Sequence, residues 1–253
     1  VIKRLGIMTA MDEEFRHIAE IFPAEASQKI GPRSFHSAKC GDLEIVLVTA
    51  RIGKVAAAVT TAALIHQFGV DGVLFVGVAG GVDPALTIGD IVIGDRLIQH
   101  DIDLKGVLGY SRFQIPLLNV REMVGAPHLV RVAQVAASKV IDSSEYARAI
   151  EPFSSKAPRS HVGLIASGDT FVCEAVERDA LSAAIPGLKC VEMEGAAAAQ
   201  VCVEHGVPFV VTRIISDHAS REAPIDFAAF IRDAASLGSG IFVRNFISSL
   251  VTG

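Results

Sequence analysis

Five stretches of this sequence end an apolar run on residues that can do chemistry. "GIMTA" runs into Met11, Asp12, Glu13 and Glu14, and "VLFVG" into Val78, Ala79, Gly80 and Gly81. "GLIA" runs into Ser167, Gly168 and Asp169, "LKCV" into Glu192, Met193 and Glu194, and "VVTRIIS" into Asp217. Four of these five ends carry carboxylates and the fifth is glycine-rich. A carboxylate buried without a partner is costly, so acids in such surroundings need a partner or a task. Two of them can protonate a leaving group and ready a water, the chemistry of glycosidic cleavage. A carboxylate also accepts two hydroxyl hydrogen bonds in fixed geometry, which suits a polyhydroxylated ligand.

Each stretch also has a plainer reading. Asp12, Glu13 and Glu14 suit the first turn of a helix, where acids meet the positive end of the dipole. Asp217 suits the cap of a turn. "GVAGG" suits a tight turn, and no G-K-[ST] follows to make it a P-loop. Glu192 and Glu194 flank Met193, so in an extended chain both face one way. Arg213, on a neighbouring apolar run, is a partner for one of them. Taken residue by residue, both readings stay open.

Positioning these ends takes a sheet. "RLGIMTA", "LEIVLVTA", "GVLFVGVAGG", "GDIVIGDRLIQHD", "HVGLIASGD", "LKCVEME" and "PFVVTRIISD" read as strands. "KVAAAVTTAALIHQFG" reads as a helix closed by Gly69, and "GAAAAQVCVEH" as one stopped by Gly206 and Pro208. Further helices fall around His128–Val140 and, amphipathic, from Phe227 to Leu250. Residues from Gly106 to Pro127 read as a long loop, and Asp142–Ser160 as a Ser-rich surface excursion. Apolar strands alternating with helices imply an α/β sheet covered on both faces. In such sheets ligands bind beyond the carboxyl ends of the strands, where the acids stand.

Composition narrows the class. The 253 residues are 51% hydrophobic and 20% charged, enough to bury a large core. A net charge of −5 gives no basic surface for nucleic acid. No apolar run reaches the roughly 18 to 20 residues of a membrane span, so no membrane partner is expected. The opening "VIKRLGIMTAMDEE" reads as a first strand and not a signal peptide. Cys40, Cys173, Cys190 and Cys202 form no C-x-x-C pair and have no histidine at ligand spacing. Reduced, buried cysteines in a cytoplasmic protein, with no metal, are the expectation.

Seven motifs then occur in order: "GIMTAMDEE", "IGKVAAA", "GVAGGVDPALTIGDIVIGD", "HDIDL", "GLIASGDTFV", "VEMEGAAAAQVC" and "VPFVVTRIISD". Together they resemble the 5′-methylthioadenosine/S-adenosylhomocysteine nucleosidases, within the purine nucleoside phosphorylase/uridine phosphorylase superfamily. The resemblance runs from Leu5 to beyond Phe227. It implies one nucleoside phosphorylase-like domain over residues 1–253, built on a mixed, partly barrel-like sheet in three layers. It implies hydrolysis of the N-glycosidic bond of a 5′-thio-substituted adenosine to adenine and thioribose, with neither metal nor organic cofactor. A homodimer and a place in methionine salvage are implied as well.

The resemblance also assigns residues. Asp217 matches the acid that protonates purine N7, Glu14 the residue that positions and activates water, and Glu194 the ribose-binding carboxylate. Met193 packs beside the sugar with Glu192 nearby, Phe171 stacks on adenine, and the Val172 backbone reads the base edge. Met11, Ile52 and Phe227 match apolar pocket positions, with Val78, Ala79 and Gly80 at the glycine-rich strand end. Arg213 and Ser216 match polar residues around the acid and the water.

There are departures. Arg51 stands in "ARIGK" where these nucleosidases usually have glycine, and Val78 where they carry Ser or Thr. The loop from His100 to Pro116 offers Leu104, Val107 and Leu108 where a Val and a Phe line the 5′-thio pocket, and Pro116 closes it. In the family that loop closes over the partner's pocket. An apolar loop favours a methylthio group over phosphate or hydroxyl. Two rivals remain: a phosphorylase, which would want arginines for phosphate, and a non-catalytic nucleoside-binding or storage relative. Acidic residues and no arginine at the first strand end disfavour the former. Retention of Glu14, Glu194 and Asp217 together disfavours the latter.

Overall fold

The computed structural model describes residues 2–104, 106–107, 109–116 and 118–252. Its strands are β1 (Arg4–Thr9), β2 (Ala26–Ile30), β3 (Arg33–Cys40), β4 (Leu43–Thr49), β5 (Gly72–Gly81), β6 (Ile91–Gln99), β7 (Glu122–Val124), β8 (Ser160–Ser167), β9 (Leu188–Glu192) and β10 (Phe209–Asp217). Its helices are α1 (Asp12–Ile21), α2 (Lys54–Phe68), α3 (Pro127–Ile141), α4 (Ser144–Ile150), α5 (Ala175–Ala184), α6 (Gly195–Glu204), α7 (Ala223–Phe230) and α8 (Ser236–Thr252). A π turn, Ile231–Ala235, joins the last two.

The strands form one sheet in the order β10-β6-β8-β9-β5-β1-β4-β3-β2, with β7 added to β6. Because β10 also pairs with β5, the strands β5, β10, β6, β8 and β9 close into a barrel. The pairing is mixed: β10 is parallel to β5 but antiparallel to β6, and β9 is antiparallel to β5. The mixed, partly barrel-like α/β fold expected from the motifs is therefore the observed one. Beyond the barrel, β1, β4, β3 and β2 extend the sheet as an open wing.

Strand periodicity sends alternate residues to opposite faces, and both faces are covered. Leu5, Ile7, Ile45, Leu47, Leu74 and Val76 pack with residues of α1, α3 and α8. Met8, Val46, Val48, Val73 and Phe75 pack under α2 and α6. Each such side chain contributes about 1.5–3 kcal/mol when fully buried, which is why these strands show continuous apolar runs. Gly240 lies where any Cβ would run into the His17 ring, so its lack of a side chain lets α8 close on α1.

Four local expectations are corrected. The Ser-rich stretch is not all surface: α4 lies inside it, with Tyr146 and Ile150 buried. The Tyr146 hydroxyl donates to the Gly89 carbonyl at 2.7 Å. Two anchors four residues apart hold one face of a helix whatever the polar residues between them. The long loop contains β7, and α5 and the β2–β3 hairpin form where no element was foreseen. The final helix is interrupted by the π turn. By length and composition Ala223–Thr252 could cross a membrane, but 56% of its most apolar window is buried inside the fold.

The loop after β6 folds back on the barrel. Phe113 is buried beside Ile98, Leu164 and Leu181. Its N–H donates to the Ile102 carbonyl at 3.0 Å, and the Arg112 guanidinium lies 4.4 Å from its ring centre.

Candidate active site

The sheet order lines the strand ends up in a row. Asp217 ends β10, Val78, Ala79 and Gly80 lie at the end of β5, Ala10 to Glu14 follow β1, and Ile52 follows β4. Glu192 and Glu194 come to the same place from β9, whose Val191 pairs with Gly80. Between them lies a cavity of about 250 Å³. Its walls are Ala10, Met11, Glu14, Ile52, Val78, Ala79, Gly80, Thr170, Phe171, Val172, Val191, Glu192, Met193, Glu194, Ser216, Asp217 and Phe227. None of these is Lys, Arg or His.

Glu14 is buried at the third position of α1. One carboxylate oxygen accepts from the N–H groups of Ala10 (2.9 Å) and Met11 (3.0 Å), the other from Val78 N–H (3.0 Å). It thus caps the helix and ties the end of β1 to β5. Burial raises its pKa, against the Arg213 charge and the three N–H donors, which favour the anion.

Glu194 is the N-cap of α6. Its Oε1 accepts from the Gly53 N–H at 2.9 Å, and the Arg213 Nη2 stands 4.0 Å from its Oε2. Burial first, and then the charge of Glu192, push its pKa up to about 8. Gly53 has φ +100°, a conformation that favours glycine, so the glycine of "IGK" turns its N–H onto the acid.

Glu192 has a different position. It forms the buried ion pair with Arg213, whose Nε donates to Oε2 at 3.1 Å and whose Nη2 also contacts Oε2. It also accepts from Gly195 N–H (2.8 Å to Oε2), Glu194 N–H (3.1 Å) and the Ser167 hydroxyl. Ser167 in turn accepts from Ala196 N–H at 2.7 Å. The carboxylate is saturated at the N-terminus of α6, so Glu192 lines the cavity while serving the wall. The close ion pair is made by Glu192, while Glu194 stands farther from the guanidinium, 4.0 Å at its Oε2.

Asp217 is buried. Its Oδ1 accepts from Ala219 N–H at 2.8 Å, and Oδ2 lies 2.8 Å from the Ser216 hydroxyl. Burial raises its pKa, outweighing these hydrogen bonds. Gly80 leaves it room, since a Cβ there would come within 2.9 Å of Oδ1. Phe171 and Phe227 meet edge to face, centroids 5.6 Å apart, beside this acid.

Three residues named from the sequence are not among the cavity walls. Arg213 lies behind them, engaged with Glu192, the Thr212 carbonyl (3.0 Å) and the face of Phe75. Leu104 and Pro116 belong to the loop that Phe113 anchors against the barrel, away from this chain's cavity. Leu108 lies outside the described residues. Conversely, Ala10, Thr170 and Val191 line the cavity without having been singled out; each adjoins a residue that was. Asp169 caps α2 instead, accepting from Lys54 N–H at 2.8 Å. Among the described residues no group of three His, Cys, Asp or Glu is arranged to hold a metal ion.

The chain, a closed mixed barrel with acids gathered at its strand ends, belongs to the phosphorylase superfamily, whose family model matches residues 4–248. Within it, the chain is similar to the 5′-methylthioadenosine/S-adenosylhomocysteine nucleosidase of Shewanella oneidensis. The two are 37% identical over 228 residues, 90% of this chain and 89% of that one. A crystal structure of such a nucleosidase from Colwellia psychrerythraea, in complex with adenine, superposes with a TM-score of 0.86 at 34% identity. It covers 99% of this chain and 96% of its own. The futalosine hydrolase of Helicobacter pylori gives 0.82 at 33% identity, covering 97% of each chain.

Proposed function

We propose that this chain hydrolyses the N-glycosidic bond of 5′-methylthioadenosine/S-adenosylhomocysteine-type nucleosides, releasing adenine and the thioribose. The observation that carries this reading is a cavity holding Glu14, Glu194 and Asp217 and lined by no basic residue. Similarity to nucleosidases along nearly the whole chain supports it.

Glycosidic cleavage passes through an oxocarbenium-like state, and the leaving group departs more easily once protonated. Asp217 is the proposed acid. Burial raises its pKa and so favours the protonated form, whose proton would go to purine N7. Phe171 and Phe227 provide aromatic surface for the base, with the Val172 backbone beside it. Glu194 is the proposed sugar ligand: its Oε1 accepts from the Gly53 N–H, and its Oε2, 4.0 Å from the Arg213 Nη2, is left to ribose hydroxyls; in its ionised form it also stabilises the developing cation. Glu14, fixed by three N–H groups, holds and deprotonates the attacking water. Arg213 and Glu192 act by setting the wall from which Glu194 projects.

A phosphorylase needs a cation for phosphate, and the one buried arginine beside the cavity is already committed to Glu192. The same reading takes in a single domain over residues 1–253, a homodimer, a cytoplasmic location and a role in methionine salvage. The dimer is supported by Ile52, Val55 and Val59, which leave an exposed apolar stripe on the α2 side of the cavity mouth.

Incubation with methylthioadenosine, with and without phosphate, tests the reaction. Free thioribose in both conditions is expected. A sugar 1-phosphate that appears only with phosphate would overturn the hydrolase reading.

A further inference from the structure

The row of strand ends does not stop at the cavity. After β10, β5, β1 and β4 the next strand is β3, which begins at Arg33. A groove of about 530 Å³ lies there and shares Ala10, Met11 and Ile52 with the cavity. If the base sits at Asp217 and the sugar at Glu194, the 5′ end of a nucleoside passes Met11 and Ile52 into this groove.

The groove carries basic residues where the cavity has none. Arg33, Arg51 and His36 line it together with Asp12 and Glu13. Among the described residues neither arginine has a carboxylate within ion-pair distance. The Arg33 Nε donates to the Ala50 carbonyl at 3.1 Å, which fixes its guanidinium at the end of β4. Burial, and after it the nearby charge of Arg51, lower the Arg33 pKa. Arg51 has φ +75°, a backbone conformation that a non-glycine residue adopts at a cost. Two arginines without a carboxylate partner can together hold a carboxylate through charge-assisted hydrogen bonds.

We propose that Arg51 and Arg33 bind a carboxylate at the far end of the 5′-substituent, so that this groove selects amino-acid-bearing thioethers such as S-adenosylhomocysteine over methylthioadenosine. The inference rests on the nucleosidase reading of the adjoining cavity. Asp12 and Glu13, which line the same groove, suit the ammonium of the same amino acid, and the apolar Met11 and Ile52 suit the thioether. A methylthio group ends there and reaches neither charge.

The test compares kcat/KM for S-adenosylhomocysteine, for its decarboxylated analogue ending in the amine alone, and for methylthioadenosine. The unaltered protein should prefer S-adenosylhomocysteine over the decarboxylated analogue. Arg51→Gly, which suits the backbone, should lower that ratio about tenfold, the size of one charge-assisted hydrogen bond. Arg51→Lys should retain part of it. If all three compounds are cleaved and Arg51→Gly leaves the ratio unchanged, the groove assignment fails while the nucleosidase reading stands. If none of the three is cleaved, the nucleosidase reading itself fails, and this inference with it.

Discussion

At the scale of single residues, the site is a set of carboxylates told apart by their surroundings. Glu192 is paired and saturated, Glu14 is held by backbone N–H groups, and Glu194 and Asp217 keep the proton more strongly than a free acid. Asp217→Asn removes the transferable proton and keeps the shape. Turnover of methylthioadenosine should fall by about 10²- to 10⁴-fold, with binding retained by calorimetry; unchanged turnover would remove Asp217 from the acid role. The same shifts have a stability consequence. A carboxyl group whose folded pKa is raised stabilises the fold fully below the ordinary carboxylate range, and that contribution is lost as pH rises through the folded value. For Glu194 the window runs from about pH 4.5 to about 8. The melting temperature of the ligand-free protein should therefore fall across that window, and Glu194→Gln should flatten the fall. Parallel curves for the two proteins would show that Glu194 is ionised throughout.

At the scale of elements, the N-terminus of α6 is the part that sets Glu194, the proposed sugar-binding acid. Ala196, Ala197, Ala198 and Ala199 are all buried, so this helix lies close to the barrel and its first turn is fixed by Glu192 and Ser167. A Cβ on Gly195 would meet Val211 Cγ1 at 2.9 Å and Glu192 Oε2 at 3.2 Å. Gly195→Ala should cost about 1–3 kcal/mol in denaturant unfolding, as overpacking does; a fully stable variant would mean the helix start can shift freely. Arg213→Met leaves Glu192 buried and unpaired, and should cost about 3–5 kcal/mol. Adding Glu192→Gln should restore part of that, which a purely steric role for Arg213 would not allow. These elements were legible in the sequence because their apolar runs are unbroken. The acids were legible because each sits where such a run stops. What escaped were features that depend on tertiary contact. Arg213 reads as a site residue until its guanidinium is seen behind the wall. Tyr146 sits among serines yet anchors a helix through the Gly89 carbonyl. The β2–β3 hairpin is exposed over most of β2, so no apolar period announces it. The Gly53 N–H on Glu194 is a backbone contact, visible only as an unexplained glycine.

At the scale of the whole molecule, none of the described residues of the loop after β6 is among the cavity walls. Leu104 and Pro116 do not reach this chain's cavity, and Ile52, Val55 and Val59 turn an apolar face outward from α2 and the turn before it. Ile52 belongs to both the cavity wall and that face, so whatever covers the face also closes the 5′ end. The proposed homodimer would cover it, because a two-fold contact presents the same loop and the same stripe from each protomer. Burial contributes about 1.5–3 kcal/mol for each such side chain, so a charge in the middle of the stripe should be felt strongly. Val59→Arg is expected to weaken self-association by about a hundredfold or more, read by sedimentation velocity over a concentration series. The monomer so produced should bind methylthioadenosine more weakly, because its 5′ passage is left open to water. An unaltered protein that sediments as a monomer at all concentrations would rule out the dimer. A monomeric variant with undiminished KM would separate the interface from the site.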